Sequence, residues 1–148
     1  MQNINHECYV SLEVAKLLKK AGFDWKLNSR WQDWGGKNPH EFILKTDLLY
    51  ADGPAEYDGF HALPSPTLDV AQRWLREVKH LDISIHYDPT IKSQPYVYFI
   101  YDVEEKFNDI LGIISPITHS YSDGYFYKYE EAQEAGIKKA LEIINKGE

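Results

Sequence analysis

Hydrophobic and polar positions recur with two different periods along this chain, and the clearest change of period falls between Pro64 and Asp88. Leu68, Ala71, Leu75 and Val78 recur at three- and four-residue steps, so they share one face of a helix. Asp69, Gln72, Arg73, Arg76 and Lys79 fall largely on the opposite face, and Trp74 widens the apolar stripe. Ser65 or Thr67 fits the start as a cap, its side-chain oxygen accepting from a free backbone N–H. A Ser65 cap puts Pro66 at the first helical position, where no N–H is needed. Around Leu81 the period becomes two. Leu81, Ile83, Ile85 and Tyr87 alternate with His80, Asp82, Ser84 and His86, the pattern of a strand with one face on a core. Asp88-Pro89 ends it, because proline cannot donate to a ladder.

The same reading extends in both directions. Ser11 to Ala21 reads as a first helix, with Val14, Leu17, Leu18 and Ala21 on one face and Gly22 suited to the left-handed residue after its end. Tyr96 to Asp102 is a second strand with apolar or aromatic residues on both faces, which implies a central position or a covered outer face. Val103 to Asp109 reads as an acidic turn and Ile110 to Ile114 as a third strand, with a short extended piece over Tyr125 to Tyr127. Tyr129 to Asn145 is the last helix, with Ala132, Gly136, Ile137, Ala140, Leu141 and Ile144 as its buried stripe. Its acidic residues sit early and its lysines late, complementing the helix dipole. Phe23 to Leu63 has the weakest pattern: tryptophans, glycines and two short strand candidates, Phe42 to Leu44 and Leu48 to Tyr50. A structureless loop that long is uncommon, so at least one strand or hairpin is expected there. No linker, repeat or low-complexity tract interrupts the chain, and residues 1–148 read as a single domain. The expected fold is α+β: an antiparallel sheet of three to five strands with two or three helices packed mainly on one face.

Composition narrows the function classes. A chain of 148 residues buries a good core without staples, hiding roughly 70% of its unfolded surface. Aromatic residues are 14% of the chain, with 11 Tyr and 4 Trp; that much tyrosine points to half-buried sheet surfaces or an interface. Net charge is -7, and neither half is basic: residues 1–64 carry 7 basic and 9 acidic side chains, residues 65–148 carry 9 and 14. Phosphate neutralisation drives nucleic-acid affinity, so this balance argues against a dedicated DNA or RNA binder. The lone cysteine, Cys8, rules out an internal disulfide and fits a reducing compartment. Met1 to His6 lacks a basic region followed by an apolar run, and no segment approaches the ~20 apolar residues of a membrane helix. The expectation is a cytoplasmic protein with no membrane partner.

Three stretches look familiar together: Tyr9-Val10-Ser11-Leu12-Glu13-Val14-Ala15-Lys16-Leu17-Leu18 with Gly22-Phe23; Pro66-Thr67, Ala71 and Trp74-Leu75-Arg76-Glu77; and Tyr129-Glu130-Glu131-Ala132 with Glu134-Ala135 and Ala140-Leu141. The set resembles a family of small proteins encoded by gut anaerobic bacteria and their phages or prophages. The resemblance runs end to end except over Phe23 to Leu63. It implies one compact cytoplasmic domain in a mobile-element context, and it brings no activity and no catalytic residues.

Each candidate for chemistry has a plain alternative. His80, Asp82, Ser84 and His86 line one strand face, and alternate residues on a strand, roughly 6.5–7 Å apart, can share a metal. No third strong ligand accompanies them, so a solvated polar face is the expected reading and His80, Asp82 and His86 are weak metal candidates. His6-Glu7-Cys8 lacks a paired ligand spacing. Gly35-Gly36-Lys37-Asn38 lacks the full phosphate-loop spacing, and Asp102, Glu104, Glu105 and Asp109 lack the glycine and closing Glu of a calcium loop. The first helix is similar to the opening helix of excisionase-type helix-turn-helix proteins, which need a second helix for the major groove. The order helix, three strands, helix after Pro66 is similar to a double-stranded RNA-binding domain, but Tyr129-Glu130-Glu131 is acidic where such a domain is basic. No cofactor or catalytic residue is expected. The reading that remains is a non-catalytic interaction module with a protein partner or a second copy, presenting Tyr96, Tyr98 and Tyr101. The alternatives are a nucleic-acid module and a small enzyme or metal site on the histidine face. Trp74 is expected to be buried between its helix and the middle region.

Overall fold

The computed structural model describes residues 8–27, 29–33, 42–45, 62–102 and 125–147. Their backbone forms α1 (Leu12–Ala21), β1 (Arg30–Asp33), β2 (Phe42–Lys45), β3 (Ala62–Pro64), α2 (Leu68–Val78), β4 (Leu81–Tyr87), β5 (Tyr96–Asp102) and α3 (Tyr129–Lys146). The class is α+β. The strands do not gather in a single sheet: among the described residues they form a three-stranded sheet, β2-β1-β3, and a two-stranded sheet, β4-β5. All pairings are antiparallel. The chain divides into two compact units, residues 1–67 and 68–148. The expected strands Leu48 to Tyr50 and Ile110 to Ile114, and the acidic turn after Asp102, lie outside the described residues. No helix among the described residues is long and apolar enough to cross a membrane.

In the first unit, α1 begins at its Ser11 cap, whose Oγ accepts from the Val14 N–H at 3.2 Å. It ends at Gly22, where φ is +92°. The Gly22 N–H donates to Lys19 O and the Phe23 N–H to Leu18 O, so two carbonyls that the helix leaves unpaired are satisfied by the turn that stops it. Val14, Ala15 and Leu18 are buried, and α1 packs on β3. The chain before α1 runs beside the chain after β3. Tyr9 bridges Thr67, the Val10 N–H donates to Pro66 O at 3.0 Å, and the Trp31 Nε1–H donates to Val10 O at 3.1 Å. After Gly22 comes β1 and not a second helix, so the helix-turn-helix order is not followed. Ser65 is no helix cap either. It lies fully buried three residues before α2, and its carbonyl accepts from Ser29 Oγ at 2.6 Å.

Among the described residues, the second unit is a two-stranded hairpin under two helices. Leu81 pairs with Asp102, Ile83 with Ile100, Ile85 with Tyr98 and Tyr87 with Tyr96. Directly opposed residues share a face, so this set is the inner face, and α3 packs on both strands. Ile83, Tyr98 and Ile100 are buried there. The approach is close because α3 presents Gly136: a Cβ at that position would stand 2.8 Å from Ile83 Cγ2 and 3.1 Å from Tyr98 Cγ. On α2, Leu68, Ala71, Trp74 and Leu75 are buried. Trp74 is fully enclosed, with the Lys79 ammonium 5.7 Å from its ring centroid, within cation–π range. Val78 departs from the expected stripe and is exposed, because the helix ends there and the chain turns away. That turn takes two residues, Lys79 and His80, and His80 adopts φ +61°, a left-handed conformation uncommon outside glycine.

Two stability outcomes follow. Gly136→Ala should destabilise: overpacking costs about 1–3 kcal/mol against the ~1 kcal/mol that alanine gains in a helix. An unchanged or raised urea midpoint would show that Ile83 and Tyr98 can yield. Trp74→Ala should cost roughly 3–5 kcal/mol, as large aromatic truncations in cores do, read from the same denaturation curves.

Candidate functional site

The polar side of β4 does not assemble a ligand set. His80 precedes the strand, in its left-handed turn. Asp82 lies 3.8 Å from Arg76 as an ion pair. The His86 Nε2 lies 3.0 Å from Ser84 Oγ, and its ring meets the Phe99 ring edge-on at 4.7 Å. Among the described residues no three His, Cys, Asp or Glu side chains come together to hold a metal ion. Cys8 is exposed; His6, Glu7 and the Gly35–Asn38 stretch lie outside the described residues.

The three tyrosines expected to form one surface are separated by the hairpin register. Tyr98 opposes Ile85 on the inner face and is fully buried under α3. As a contact for a partner it is therefore corrected: Gly136 lets the helix close over its ring. Tyr101 opposes Asp82 on the other face, where its ring stacks with Phe99 at 6.3 Å. Tyr96 shares the inner face with Tyr98 but sits at the far end of the hairpin, half-buried.

At that end the second unit exposes a group of tyrosines that the period-based reading passed over. Tyr87 and Tyr127 are each 61% exposed, Tyr129 43% and Tyr125 41%. Two elements and one bridge bring them together. Tyr87 closes β4 opposite Tyr96, which opens β5. Tyr96 and Phe126 exchange backbone hydrogen bonds of 3.1 and 2.8 Å. That bridge lays the Tyr125–Tyr127 segment along β5 and delivers the chain to Tyr129, the first residue of α3. The rings of Tyr87, Tyr96 and Tyr129 then meet in a row, edge to face, with centroids 5.5 and 6.1 Å apart. Phe126 turns inward toward Tyr98, 6.3 Å between rings. The run Tyr-Phe-Tyr-Lys-Tyr at 125–129 carried a usable signal: aromatics alternating just before a helix, with a polar-tipped ring at every second position.

The surroundings are mixed in charge. Glu130 and Glu131 follow Tyr129, and Glu131 Oε1 accepts from the Lys128 N–H at 3.4 Å, closing the start of α3. Asp88 follows Tyr87. Its Oδ1 accepts from Thr90 Oγ1 at 2.6 Å and from the Thr90 N–H at 3.0 Å, and the hydroxyl first, then the amide, lowers its pKa. A lowered folded pKa contributes stability above the ordinary carboxylate range and loses it as pH falls through the lowered value. The described residues of this group offer apolar ring area and hydroxyl tips. Thr90→Ala should raise the Asp88 pKa toward its ordinary value, followed by carboxyl-carbon NMR titration; an unmoved titration would exclude the hydroxyl as the cause. In comparisons with known proteins, no family model matches the chain, and neither a curated protein nor a solved structure matches it.

Proposed function

We propose that this chain is a non-catalytic protein-interaction module whose contact surface is the tyrosine end of residues 68–148. One observation carries the reading: four tyrosines, each more than 40% exposed, gather at the hairpin end, two of them in the ring row with Tyr96. Tyrosine is enriched at protein interfaces because it brings large apolar area on a stiff side chain and keeps a polar tip. The chain's net charge of -7 favours a neutral or basic protein partner over a phosphate backbone. The lone cysteine and the family resemblance support a cytoplasmic protein of a phage or other mobile element. The same proposal adds the strand read over Ile110 to Ile114 to the β4–β5 sheet, bringing it to three strands with helices mainly on one face.

The test is a paired comparison of wild type with Tyr87→Ser/Tyr129→Ser. Recovery of the partner from host lysate, quantified by mass spectrometry, should fall roughly tenfold or more, the scale of interface hot spots; Arg73→Ala, at an exposed site on α2, should leave it unchanged. If the partner is a second copy, light scattering should show wild-type association that the double variant lacks. Identical recoveries together with a monomer at every concentration would overturn the reading.

A further inference from the structure

α3 carries one polar side chain inside its buried stripe. Gln133 is 2% exposed. Its Nε2 donates to Asp69 Oδ1 at 2.7 Å and to Gln72 Oε1 at 2.8 Å, both on α2. The Gln72 Nε2 in turn donates to the Ile83 carbonyl of β4 at 2.6 Å. The chain of bonds ends in a carboxylate and a backbone carbonyl, and both of those only accept. The orientation of both amides is therefore forced, and neither can flip without losing a bond.

Three elements are tied by this bridge, and the tie is directional. Asp69 and Gln72 stand one turn apart on α2, so the two N–H bonds of Gln133 reach two separated points. The apolar contacts around it have no such preference: burial of area is indifferent to small slides. Ala132, Gly136 and Ala140 make the α3 stripe smooth. A slide of α3 along its axis that keeps the same face on the hairpin carries the Gln133 amide past Asp69 and Gln72. Such a slide strains both amide bonds, which depend on distance and angle, while leaving much of the apolar area covered. The bridge thus selects one register among packings of similar burial, as buried polar groups do in some helical assemblies.

Tyr129 lies one helical turn before Gln133 and meets Tyr96 at 6.1 Å with ring planes 82° apart. We infer that Gln133 is a positioning residue for the tyrosine end: through Asp69 and Gln72 it sets the register of α3 and so holds Tyr129 in the row with Tyr96 and Tyr87. The purpose of that row rests on the proposed interaction reading; its geometry does not. A partner surface made of rings on three chain segments is assembled only when all three are in register, and Gln133 is the polar contact that reports α3's register to α2 and β4.

The test reads ring positions and uses no partner. In Gln133→Met, which keeps the length and loses both donors, nuclear Overhauser contacts between the Tyr96 and Tyr129 rings should disappear and the Tyr129 ring shifts should move to solvent-like values. Far-ultraviolet circular dichroism and a cooperative melt should be retained. Should that variant fail to fold, Asp69→Ala/Gln72→Ala removes both acceptors from α2, where Asp69 is exposed and Gln72 half-buried; the same ring contacts should weaken. Asp69→Asn keeps an acceptor oxygen and should restore the wild-type spectrum. Intact Tyr96–Tyr129 contacts in the Met variant, or in the double alanine variant when the Met variant is unfolded, would overturn the inference and leave the bridge as a packing detail. Failure of the interaction reading would show instead as tyrosine substitutions without effect on partner recovery.

Discussion

The second unit depends on a side chain that is not there. At Gly136 the backbone of α3 comes so near the β4–β5 hairpin that a methyl group would stand inside van der Waals distance of Ile83 and Tyr98. With this close approach Ala132, Ile137, Ala140 and Leu141 of α3 are fully buried, and Tyr98 is shut away beneath the helix. It also brings Gln133 within reach of α2. A larger residue at this one position would lift the helix, lengthen the amide bonds and unseat Tyr129 from Tyr96, so packing, register and the exposed rings answer to the same contact.

The first unit solves a different problem. Its short strands offer few ladder bonds, so side chains and flanking backbone supply the rest. The Trp31 indole donates to Val10 O, Ser29 to Ser65 O, and the Val10 amide to Pro66 O. Each joins stretches far apart in sequence. The carbonyls of the buried residues Val10, Ser65 and Pro66 would be costly without those donors.

How much of this was legible follows from which residues carry a period. α1, α2, β4, β5 and α3 were readable because ten or so residues of apolar spacing, or seven of alternation, outvote local noise. β1 and β3 were not: four and three residues amid tryptophans, glycines and prolines carry too little alternation. The inner face of β5 was undecidable from sequence, since Tyr96, Tyr98 and Ile100 are no more apolar than Val97, Phe99 and Tyr101; only pairing with Ile83 and Ile85 settles it. Gln72 misled, and Gln133 went unread, for a related reason. An amide at the edge of an apolar stripe looks like a solvent-facing position, and only the fold shows that two of them face each other. His80 joined the alternation on paper, but the short turn from α2 takes it off the strand.

The glycine in α3 also bears on how the unit comes together. A helix with Gly at its middle and a tyrosine at its start is a weak helix alone, since glycine costs about 1 kcal/mol relative to alanine and most helical stability in proteins comes from packing an amphipathic face. The hairpin, by contrast, closes through neighbours in sequence: the Asp88 N–H donates to Pro95 O at 2.6 Å across its turn. Closing the hairpin joins neighbours in sequence and costs little loop entropy, whereas the Tyr96–Tyr129 contact also needs the chain between β5 and α3 to be closed, so the tyrosine row carries the larger entropic cost of the two.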